Sequence, residues 1–202
     1  MVNQIALVGG GGHASSCVEL ISQSESFELL GYVAPEKSAL MEDIDVEFLG
    51  SDQVLQRLVA DNICLHVAVG QIKSSDKRCV LYSAIRSMGG DLPNLVAANA
   101  VVAKTASLGC GNFVGLSAVI NAKAQVGDNC IINTSAILEH GALVGDHCHI
   151  APGAIVLGDA VIESHSFIGS GAIIREGVRI ARGSVVTAGA LIMTDNEKRI
   201  FK

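Results

Sequence analysis

The fold is decided by the stretch Leu138–Ala154, LEHGALVGDHCHIAPGA, in which an aliphatic residue returns at every sixth position. The same step continues from Val102 to Ile192 without one exception. In the first fifteen steps, the residue four positions after the aliphatic is Ala, Ser or Cys, apart from Asn112 and Val178. A repeat of this regularity predicts a parallel β-helix, whereas a β-sandwich has turns at irregular spacing. The aliphatic positions are Val102, Leu108, Val114, Ile120, Val126, Ile132, Leu138, Val144, Ile150, Val156, Ile162, Ile168, Ile174, Ile180, Val186 and Ile192.

The corners of this coil are expected where Gly or Asn directly follows the aliphatic residue. Such positions favour φ > 0, which a sharp corner needs. They are Gly109, Gly115, Asn121, Gly127, Asn133, Gly145 and Gly169.

The chain changes character near residue 98, because apolar runs before that point alternate with helical patterns. Strands are predicted at Gln4–Val8, Glu28–Val33 and Ile63–Val69, and helices at Ala14–Ser22, Ser51–Ala60 and Ser75–Met88. This alternation predicts a parallel sheet of the Rossmann type. Ser51 and Asp52 are candidate N-caps of the second helix, and Gly89-Gly90 should end the third.

A glycine run, Gly9-Gly10-Gly11-Gly12-His13-Ala14, follows the first strand and opens the first helix. Free N–H groups and the positive end of the helix dipole favour an anion there, such as the phosphate of a nucleotide sugar. The run also fits GxGxxA loosely, so NAD binding and a purely structural turn remain alternatives. Fewer than 100 residues precede the repeat, about half of a full dinucleotide domain.

Composition excludes several classes of protein. The chain has 202 residues, 50% of them hydrophobic and 17% charged, which does not fit a disordered protein. A net charge of −6 opposes nucleic-acid binding, and no apolar run reaches the length of a membrane span. The six cysteines lack zinc-site spacing, so we expect reduced thiols and no metal. We therefore expect a cytoplasmic protein without a nucleic-acid or membrane partner.

The repeat, GGGGHA at Gly9–Ala14 and the Leu138–Ala154 stretch together resemble the bacterial hexapeptide-repeat sugar acetyltransferases. That group includes UDP-4-amino-sugar N-acetyltransferases and sialic acid O-acetyltransferases. The resemblance implies a Rossmann-like nucleotide-sugar-binding domain at residues 1–97 and a left-handed β-helix acyltransferase domain of about five coils at 98–202. It also implies a homotrimer, acetyl-CoA as co-substrate, no metal, and a nucleotide-linked or sialic-type amino sugar as acceptor.

Coils of this family have three six-residue sides, so residues 18 apart should stack in columns. Two of the three outward columns are apolar, and exposed apolar surface of that extent marks an interface. Packing about a threefold axis would bury both. The apolar columns are Val119, Ile137, Ile155, Ile173, Leu191 and Phe113, Ile131, His149, Phe167, Val185, and the mixed column is Ser107, Gln125, Leu143, Val161, Arg179.

Two histidines stand out in these columns. His140 stacks between the small residues Ala122 and Gly158, which leaves room for a ligand, although an exposed corner histidine fits the same pattern. His149 interrupts an apolar column, where it either binds a ligand or packs against its neighbours. The resemblance implies that His140 is the general base and that His149 binds the acyl donor. They lie half a coil apart, so a site that uses both would lie between subunits.

The remaining site predictions depend on the same resemblance. Members of the N-acetyltransferase group have a glutamate after the catalytic histidine, where this chain has Gly141, so Glu139 or Asp159 should orient the His140 ring instead. The main chain at four small residues is expected to bind acetyl-CoA. The glycine run is expected to bind substrate, and Gly50 is carried over from the family as a further substrate residue. The acetyl-CoA residues are Gly158, Gly171, Ala188 and Gly189, and the substrate residues are Gly11, Gly12, His13 and Gly50.

Base selectivity is the weakest point of the resemblance. The UDP-sugar enzymes end their second strand with an acidic pair, and this chain has Ala34-Pro35 there. The leading prediction is an acetyl-CoA-dependent acetyltransferase that acts on an amino sugar in bacterial surface-glycan synthesis. Alternatives are an O- or N-acetyltransferase of the sialic or legionaminic acid pathway, a non-catalytic scaffold and an NAD-linked regulator. The histidines His147 and His165 are expected to be solvated, and Glu197-Lys198-Arg199 should cover the last coil.

Overall fold

The computed structural model describes residues 2–72 and 74–195, and the backbone of 200–201. The charged segment Glu197-Lys198-Arg199 lies outside the described residues. The chain divides into two compact units, one formed by Met1–Gly70 and Asp76–Ala98, the other by Gln71–Ser75 and Asn99–Lys202. The segment Gln71–Ser75, which we call the strap, therefore belongs to the second unit although it precedes residue 98 in the sequence.

The first unit, the α/β unit, contains the predicted parallel sheet. Its strands run in the order β3-β2-β1-β4, and all three pairings are parallel. The strands are β1 Asn3–Val8, β2 Phe27–Val33, β3 Phe48–Gly50, β4 Cys64–Val67 and the short β5 Leu95–Val96. The helices are α1 Gly12–Ser22, α2 Ala39–Glu42, α3 Leu55–Ala60 and α4 Asp76–Ser87, with a 3-10 turn at Asp52–Val54.

The predicted capping of the second helix is wrong. Ser51 precedes the 3-10 turn rather than the α-helix, and its side chain makes no capping hydrogen bond. The predicted end of α4 is confirmed, because Gly89 has φ +78° and the Gly90 N–H donates to the carbonyl of Ile85 at 3.0 Å. The sequence patterns also missed β3 and α2, which are short.

The second unit is a β-helix of parallel two-residue strands, as the repeat predicts. Each inward aliphatic ends a strand and joins one continuous core, and stacked strands from Val101 to Ile192 pair in steps of 18 residues. The last pair, Val185–Val186 with Ile200–Phe201, is offset by 15 residues. The strands form three faces, named after one outward residue of each. The Leu143 face comprises Ser107–Leu108, Gln125–Val126, Leu143–Val144, Val161–Ile162 and Arg179–Ile180; the His149 face comprises Phe113–Val114, Ile131–Ile132, His149–Ile150, Phe167–Ile168, Val185–Val186 and Ile200–Phe201; and the Ile137 face comprises Val101–Val102, Val119–Ile120, Ile137–Leu138, Ile155–Val156, Ile173–Ile174 and Leu191–Ile192.

The predicted position of the positive-φ corner is wrong by two residues. Every sixth residue from Gly111 to Gly189 has φ between 54° and 70°, and these are the third residues after the aliphatics. Glycines directly after an aliphatic are required for a different reason. An ideal Cβ at Gly145 would lie 2.7 Å from the backbone nitrogen of Ser164 in the next coil, and one at Gly169 would lie 2.5 Å from that of Ala188. These glycines allow close approach of the coils.

The two apolar faces differ in exposure within the single chain. On the His149 face, Phe113 is 2% exposed and His149 is 8% exposed. On the Ile137 face the outward side chains are only half-buried, and Leu191 is 61% exposed. Three of the five side chains of the His149 column are therefore buried within the single chain, and the trimer that would cover both apolar columns stays a prediction.

Candidate functional site

A cavity of about 290 Å³ lies at the carboxyl edge of the sheet in the α/β unit. This edge is where open parallel sheets bind ligands. Its walls come from the loops after β1, β2, β3 and β4 and from α4. The lining residues are Val8, Gly9, Gly10, Gly11, Gly12, His13, Val33, Ala34, Pro35, Asp52, Ala68, Val69, Gly70, Lys77 and Leu81.

The four glycines of the run serve two purposes. An ideal Cβ at Gly9, where φ is +128°, would lie 2.9 Å from Val69, and one at Gly10 would lie 3.0 Å from the Tyr32 ring. The first two glycines are therefore required by packing. Gly11 and Gly12 have no atom within 4 Å of an ideal Cβ, so their backbones face open space. Gly11 is also the N-cap of α1.

Hydrogen bonds on two sides fix the backbone that lines this cavity. The Ser38 hydroxyl donates to the Gly10 carbonyl at 2.6 Å, while the Ser38 N–H donates to the Tyr32 hydroxyl at 2.8 Å. On the opposite side, fully buried Arg78 donates through Nη1 to the carbonyls of Val67 and Val69, both at 2.7 Å. The glycine loop and the end of β4 are thus each tied to a neighbouring element.

The Arg78 charge also acts on two buried groups of the α/β unit. Burial, together with the smaller effect of the Arg78 charge, lowers the pKa of His66 to about 3, so this ring is neutral in the folded protein at neutral pH. Burial raises the pKa of the Cys17 thiol to about 12 despite the opposing effect of Arg78. These two side chains belong to the packed interior, because neither lines the cavity.

The cavity includes three of the four substrate residues taken from the sequence. Gly11, Gly12 and His13 line it, but Gly50 does not. Gly50 has φ +126°, an ideal Cβ there would lie 2.9 Å from Val54, and its carbonyl accepts from the Ala34 N–H. The structure therefore gives Gly50 a packing role, and its contact with substrate stays a prediction.

Sequence reasoning missed Asp52 as a cavity residue and missed Lys77 altogether. Asp52 was considered only as a helix cap, although it lies in the cavity wall. Lys77 also lines the cavity, from the first turn of α4. For Lys77 the signal was its position at the start of the helix after a predicted strand, because loops at the carboxyl ends of parallel strands meet at one edge. For Asp52 the sequence carried no signal, because β3, which precedes it, was not predicted.

In the β-helix unit, His140 is an exposed corner residue whose ring lies against Gly158. An ideal Cβ at Gly158 would approach the ring to 2.5 Å at Cε1 and 2.8 Å at Nε2. Glycine at 158 is thus required by the position of the imidazole. The His140 ring occupies the space above Gly158. Gly158 is therefore buried beneath the ring and supports it.

Neither candidate carboxylate bonds to the His140 ring within the part of the chain that the structure describes. Glu139 Oε2 accepts a hydrogen bond from the His140 backbone N–H at 3.3 Å. The Asp159 N–H donates to the His140 carbonyl at 3.0 Å, and the Asp159 carboxylate lies over Gly141. Both acids are near the imidazole, and which of them orients it stays a prediction.

His149 is held within the unit by both ring nitrogens. Nδ1 lies 2.6 Å from the carbonyl oxygen of Gln71 in the strap, and a carbonyl can only accept, so Nδ1 carries the proton. Nε2 then accepts from the Asn133 amide at 3.1 Å, and Phe167 packs edge-on against the ring at 5.2 Å. This geometry favours the packing interpretation of His149, and its role in donor binding stays a prediction.

The strap also contacts the two corner histidines that were expected to be solvated. The Gln71 amide donates to the His147 carbonyl at 3.1 Å, and the Ser75 hydroxyl lies 2.8 Å from His165 Nδ1. The two rings stack with centroids 5.0 Å apart. The expectation of solvated histidines is therefore wrong, because the strap lies over this corner.

The other predicted donor-binding positions form an open part of the β-helix. Gly171 and Gly189 occupy positive-φ corners with no atom within 4 Å of an ideal Cβ, and Ala188 is exposed. A separate groove of about 530 Å³ lies on the Leu143 face and includes neither His140 nor His149. No group of three or more possible metal ligands, and no helix able to cross a membrane, occurs among the described residues.

Comparison with known proteins matches both units. The PglD N-terminal domain matches residues 4–78, and the bacterial transferase hexapeptide domain, with six repeats, matches residues 123–158. A search of curated protein sequences found no match.

Three solved structures share the fold along 96% of this chain. A histidine-to-asparagine mutant of perosamine N-acetyltransferase from Caulobacter crescentus, in complex with CoA and GDP-perosamine, is 28% identical over 90% of its length, with a TM-score of 0.87. The acetyltransferase domain of PglB from Neisseria gonorrhoeae, in complex with acetyl coenzyme A, is 28% identical over 93%, with a TM-score of 0.87. WeeI from Acinetobacter baumannii is 21% identical over 93%, with a TM-score of 0.81, and supports the fold alone.

These likenesses extend through the α/β unit and the β-helix alike. The α/β unit carries the glycine-lined cavity and the β-helix carries His140 over Gly158. Both domain matches occur in this order and the likeness to acetyltransferases covers 96% of the chain, so the protein carries a PglD N-terminal domain and a hexapeptide transferase domain and is similar to bacterial sugar N-acetyltransferases along nearly its whole length.

Proposed function

We propose that this protein transfers the acetyl group of acetyl-CoA to the amino group of a nucleotide-linked sugar, in the synthesis of bacterial surface glycans. The observation that carries the proposal is the exposed imidazole of His140, seated on a glycine at a β-helix corner. It is supported by the 28% identical structures, which hold CoA with GDP-perosamine in one case and acetyl-CoA in another. The acetyl donor is a cytoplasmic metabolite, so we place the reaction in the cytoplasm.

The chemistry needs a base and does not need a covalent intermediate. When the amine attacks the thioester carbonyl, a C–N bond forms and the nitrogen must lose a proton as the tetrahedral intermediate develops. A neutral imidazole at His140 accepts that proton. Collapse of the intermediate breaks the C–S bond and releases CoA, whose thiolate takes up a proton. Backbone N–H groups of an adjacent coil supply the type of donor that stabilises the oxyanion.

The two units divide this task. The cavity at Gly11, Gly12 and His13 is proposed to bind the nucleotide phosphates through backbone N–H groups. The open corners at Gly171 and Gly189 are proposed to lie along the pantetheine arm of acetyl-CoA.

A homotrimer is proposed to complete the site. The Ile137 face leaves its outward aliphatics half-buried or exposed in the single chain. Full burial of an exposed aliphatic side chain contributes about 1.5–3 kcal/mol, and a half-buried one contributes correspondingly less. His140 follows the strand Ile137–Leu138 and so lies at the edge of this face. A neighbouring subunit packed on the Ile137 face would place its own surface beside the imidazole.

An acceptor from the sialic or legionaminic acid pathway is the second candidate. The observation that favours it is the presence of Ala34-Pro35 in the cavity wall, where the UDP-sugar enzymes have an acidic pair. The carboxylate of a sialic-type sugar can also use the anion site at the glycine run.

The test is a thiol-release assay with acetyl-CoA and a panel of acceptors at equal concentration. The panel contains nucleotide-linked amino sugars, the same amino sugars without nucleotide, and sialic-type sugars. We expect release with the nucleotide-linked amino sugars only. Release with free sialic-type sugars alone would establish the second candidate, and no release with any acceptor would indicate a scaffold protein.

The assembly is tested with Ile155→Asp, which places a charge in the middle of the Ile137 face. Sedimentation of the wild type should give a trimer, and the variant should dissociate. Gln125→Asp on the Leu143 face adds a charge at an exposed position and serves as the matched control. A wild-type monomer in sedimentation would contradict the proposed trimer.

A further inference from the structure

The strap leaves the α/β part of the sequence after Gly70 and is attached to the β-helix at both of its ends. Gln71 and Ser75 are each 3% exposed, whereas Ile72 between them is 66% exposed. Three hydrogen bonds between described residues hold the strap, and each of them involves a histidine of the β-helix. These histidines are His147, His149 and His165.

On both sides the strap is continuous with the wall of the cavity in the α/β unit. Gly70 directly precedes the strap, Lys77 comes two residues after it, and both line that cavity. Arg78 closes the base of this loop, because its Nη1 donates to the carbonyls of Val67 and Val69. The strap and its two flanks therefore form one loop, which is tied at its base inside the α/β unit and at its far end to histidines of the β-helix.

The bond from His149 Nδ1 to the Gln71 carbonyl, at 2.6 Å, is the attachment that joins two buried residues. If the imidazole is removed, this carbonyl loses its donor. A buried carbonyl without a donor is strongly disfavoured, so the strap has to move until water reaches it. Because the strap is continuous with Gly70 and Lys77, that movement loosens the cavity wall on both sides.

Neither ring nitrogen of His149 is available to a ligand. Nδ1 donates to Gln71, Nε2 accepts from the Asn133 amide at 3.1 Å, and Phe167 packs edge-on against the ring. An imidazole that bound the acetyl donor would have to break one of these bonds. We infer that His149 is a positioning residue for the acceptor site: it holds the strap, and through the strap the cavity wall at Gly70 and Lys77, and it does not contact the acetyl donor.

This inference rests on the proposed function in one respect, because it takes the acceptor to bind in this cavity. The first test is the steady-state kinetics of His149→Ala with acetyl-CoA and a nucleotide-linked amino sugar. We expect the acceptor KM to rise about tenfold while the KM for acetyl-CoA stays unchanged. His149→Asn should recover most of the acceptor affinity, because its amide can donate to the Gln71 carbonyl. Ser75→Ala removes the hydroxyl that meets His165 and should raise the acceptor KM by a smaller factor.

The second test does not depend on catalysis. Hydrogen–deuterium exchange followed by mass spectrometry measures the protection of backbone amides in the full-length protein. In His149→Ala we expect exchange to be about tenfold faster in the strap and in its flanks, residues 68–70 and 76–81, because a loosened loop opens more often. Val185→Ala shortens another outward side chain of the His149 face and is the matched control. It should change neither the two KM values nor the exchange.

Three outcomes would go against these expectations. A higher KM for acetyl-CoA with an unchanged acceptor KM in His149→Ala would overturn the inference and make His149 a donor-binding residue, as the family resemblance implies. Unchanged exchange in the flanks of the strap would overturn it as well. A wild type that transfers acetyl groups to no acceptor would overturn the proposed function, and the exchange measurement would still decide whether His149 holds the cavity wall.

Discussion

In the α/β unit the glycines of the run Gly9–Gly12 have two different structural roles, whereas in the β-helix one role, a left-handed corner, recurs at every sixth residue. Gly9 and Gly10 are packed against Val69 and Tyr32, while the next two glycines face the cavity. In the β-helix, the same left-handed corner is occupied in turn by Gly, Ser, Lys, Asn, His and Asp. The repeated unit therefore tolerates variation at its corners. The proposed catalytic residue His140 lies next to one of them, Gly141, and differs from the small residues above and below it in its column.

His140 is the departure with the largest expected effect. We expect His140→Ala to lower kcat by about 10²–10⁴-fold, the range for loss of a positioned general base, with the sedimentation of the protein unchanged. Steady-state kinetics at neutral pH provides the measurement. Asp159→Asn and Glu139→Gln are measured in the same assay. The variant that shifts the acidic limb of the pH–rate profile identifies the carboxylate that positions the His140 ring. Full activity in His140→Ala would mean that the base is another residue.

The difference between the two kinds of β-helix glycine can be measured as stability. Gly169→Ala should lower the free energy of unfolding by about 1–3 kcal/mol, because its Cβ would meet the backbone of Ala188 at 2.5 Å. Gly177→Asn is the matched control, since Gly177 has φ +69° and open space around it, and Asn tolerates that backbone conformation. Urea denaturation followed by circular dichroism tests both. Equal destabilisation of the two variants would contradict the distinction.

The α/β unit buries the ionisable ring of His66 in its core, whereas the described inward residues of the β-helix core include no histidine. The folded pKa of His66 is lowered from 6.5 to about 3, so between these values the unfolded chain binds a proton that the folded chain excludes. Stability from this residue is therefore present above pH 6.5 and is lost as the pH falls towards 3, by about 1.4 kcal/mol per pH unit.

His66→Asn should flatten that slope, because the Asn amide can still donate to the Pro93 carbonyl but does not titrate. Both tyrosines of the chain, Tyr32 and Tyr82, lie in the α/β unit, so urea unfolding followed by tyrosine fluorescence between pH 4 and pH 6.5 reports on this unit. An identical slope in the wild type and the variant would show that His66 is not the source of the acid sensitivity.

The smallest expected effect tests whether the α/β unit binds the acceptor while the β-helix binds acetyl-CoA. Gly11→Asp places a carboxylate beside the proposed phosphate site and should raise the acceptor KM about tenfold, the equivalent of about 1.4 kcal/mol, without changing the affinity for acetyl-CoA. Gly153→Asp is the control, because it puts the same charge at an open corner of the β-helix. An unchanged acceptor KM in Gly11→Asp would remove the α/β unit from substrate binding.

The periodic part of the molecule was predictable from the sequence, and the departures from periodicity were predictable only in part. The six-residue step identified every inward aliphatic because each of them enters the same core. It placed the positive φ two residues too early, because Gly at the residue after the aliphatic has a second cause, the close approach of the next coil. A glycine required for positive φ and a glycine required for close approach of the next coil look the same in a sequence, and only the structure distinguishes them.

By itself the sequence determined the parallel sheet and the β-helix, and together with the family resemblance it gave the three columns of outward residues. The exposed corner position of His140 was one of two alternatives that the sequence left open. These features depend on local spacing, because neighbours along the chain or one coil away set them. Only the tertiary structure decided that His149 is bonded to the strap carbonyl of Gln71 and that Asp52 and Lys77 line one cavity. Such contacts join residues that are 25 or more positions apart, and no periodicity relates them. They follow from the packing of whole elements, which the spacing of residues along the chain does not encode.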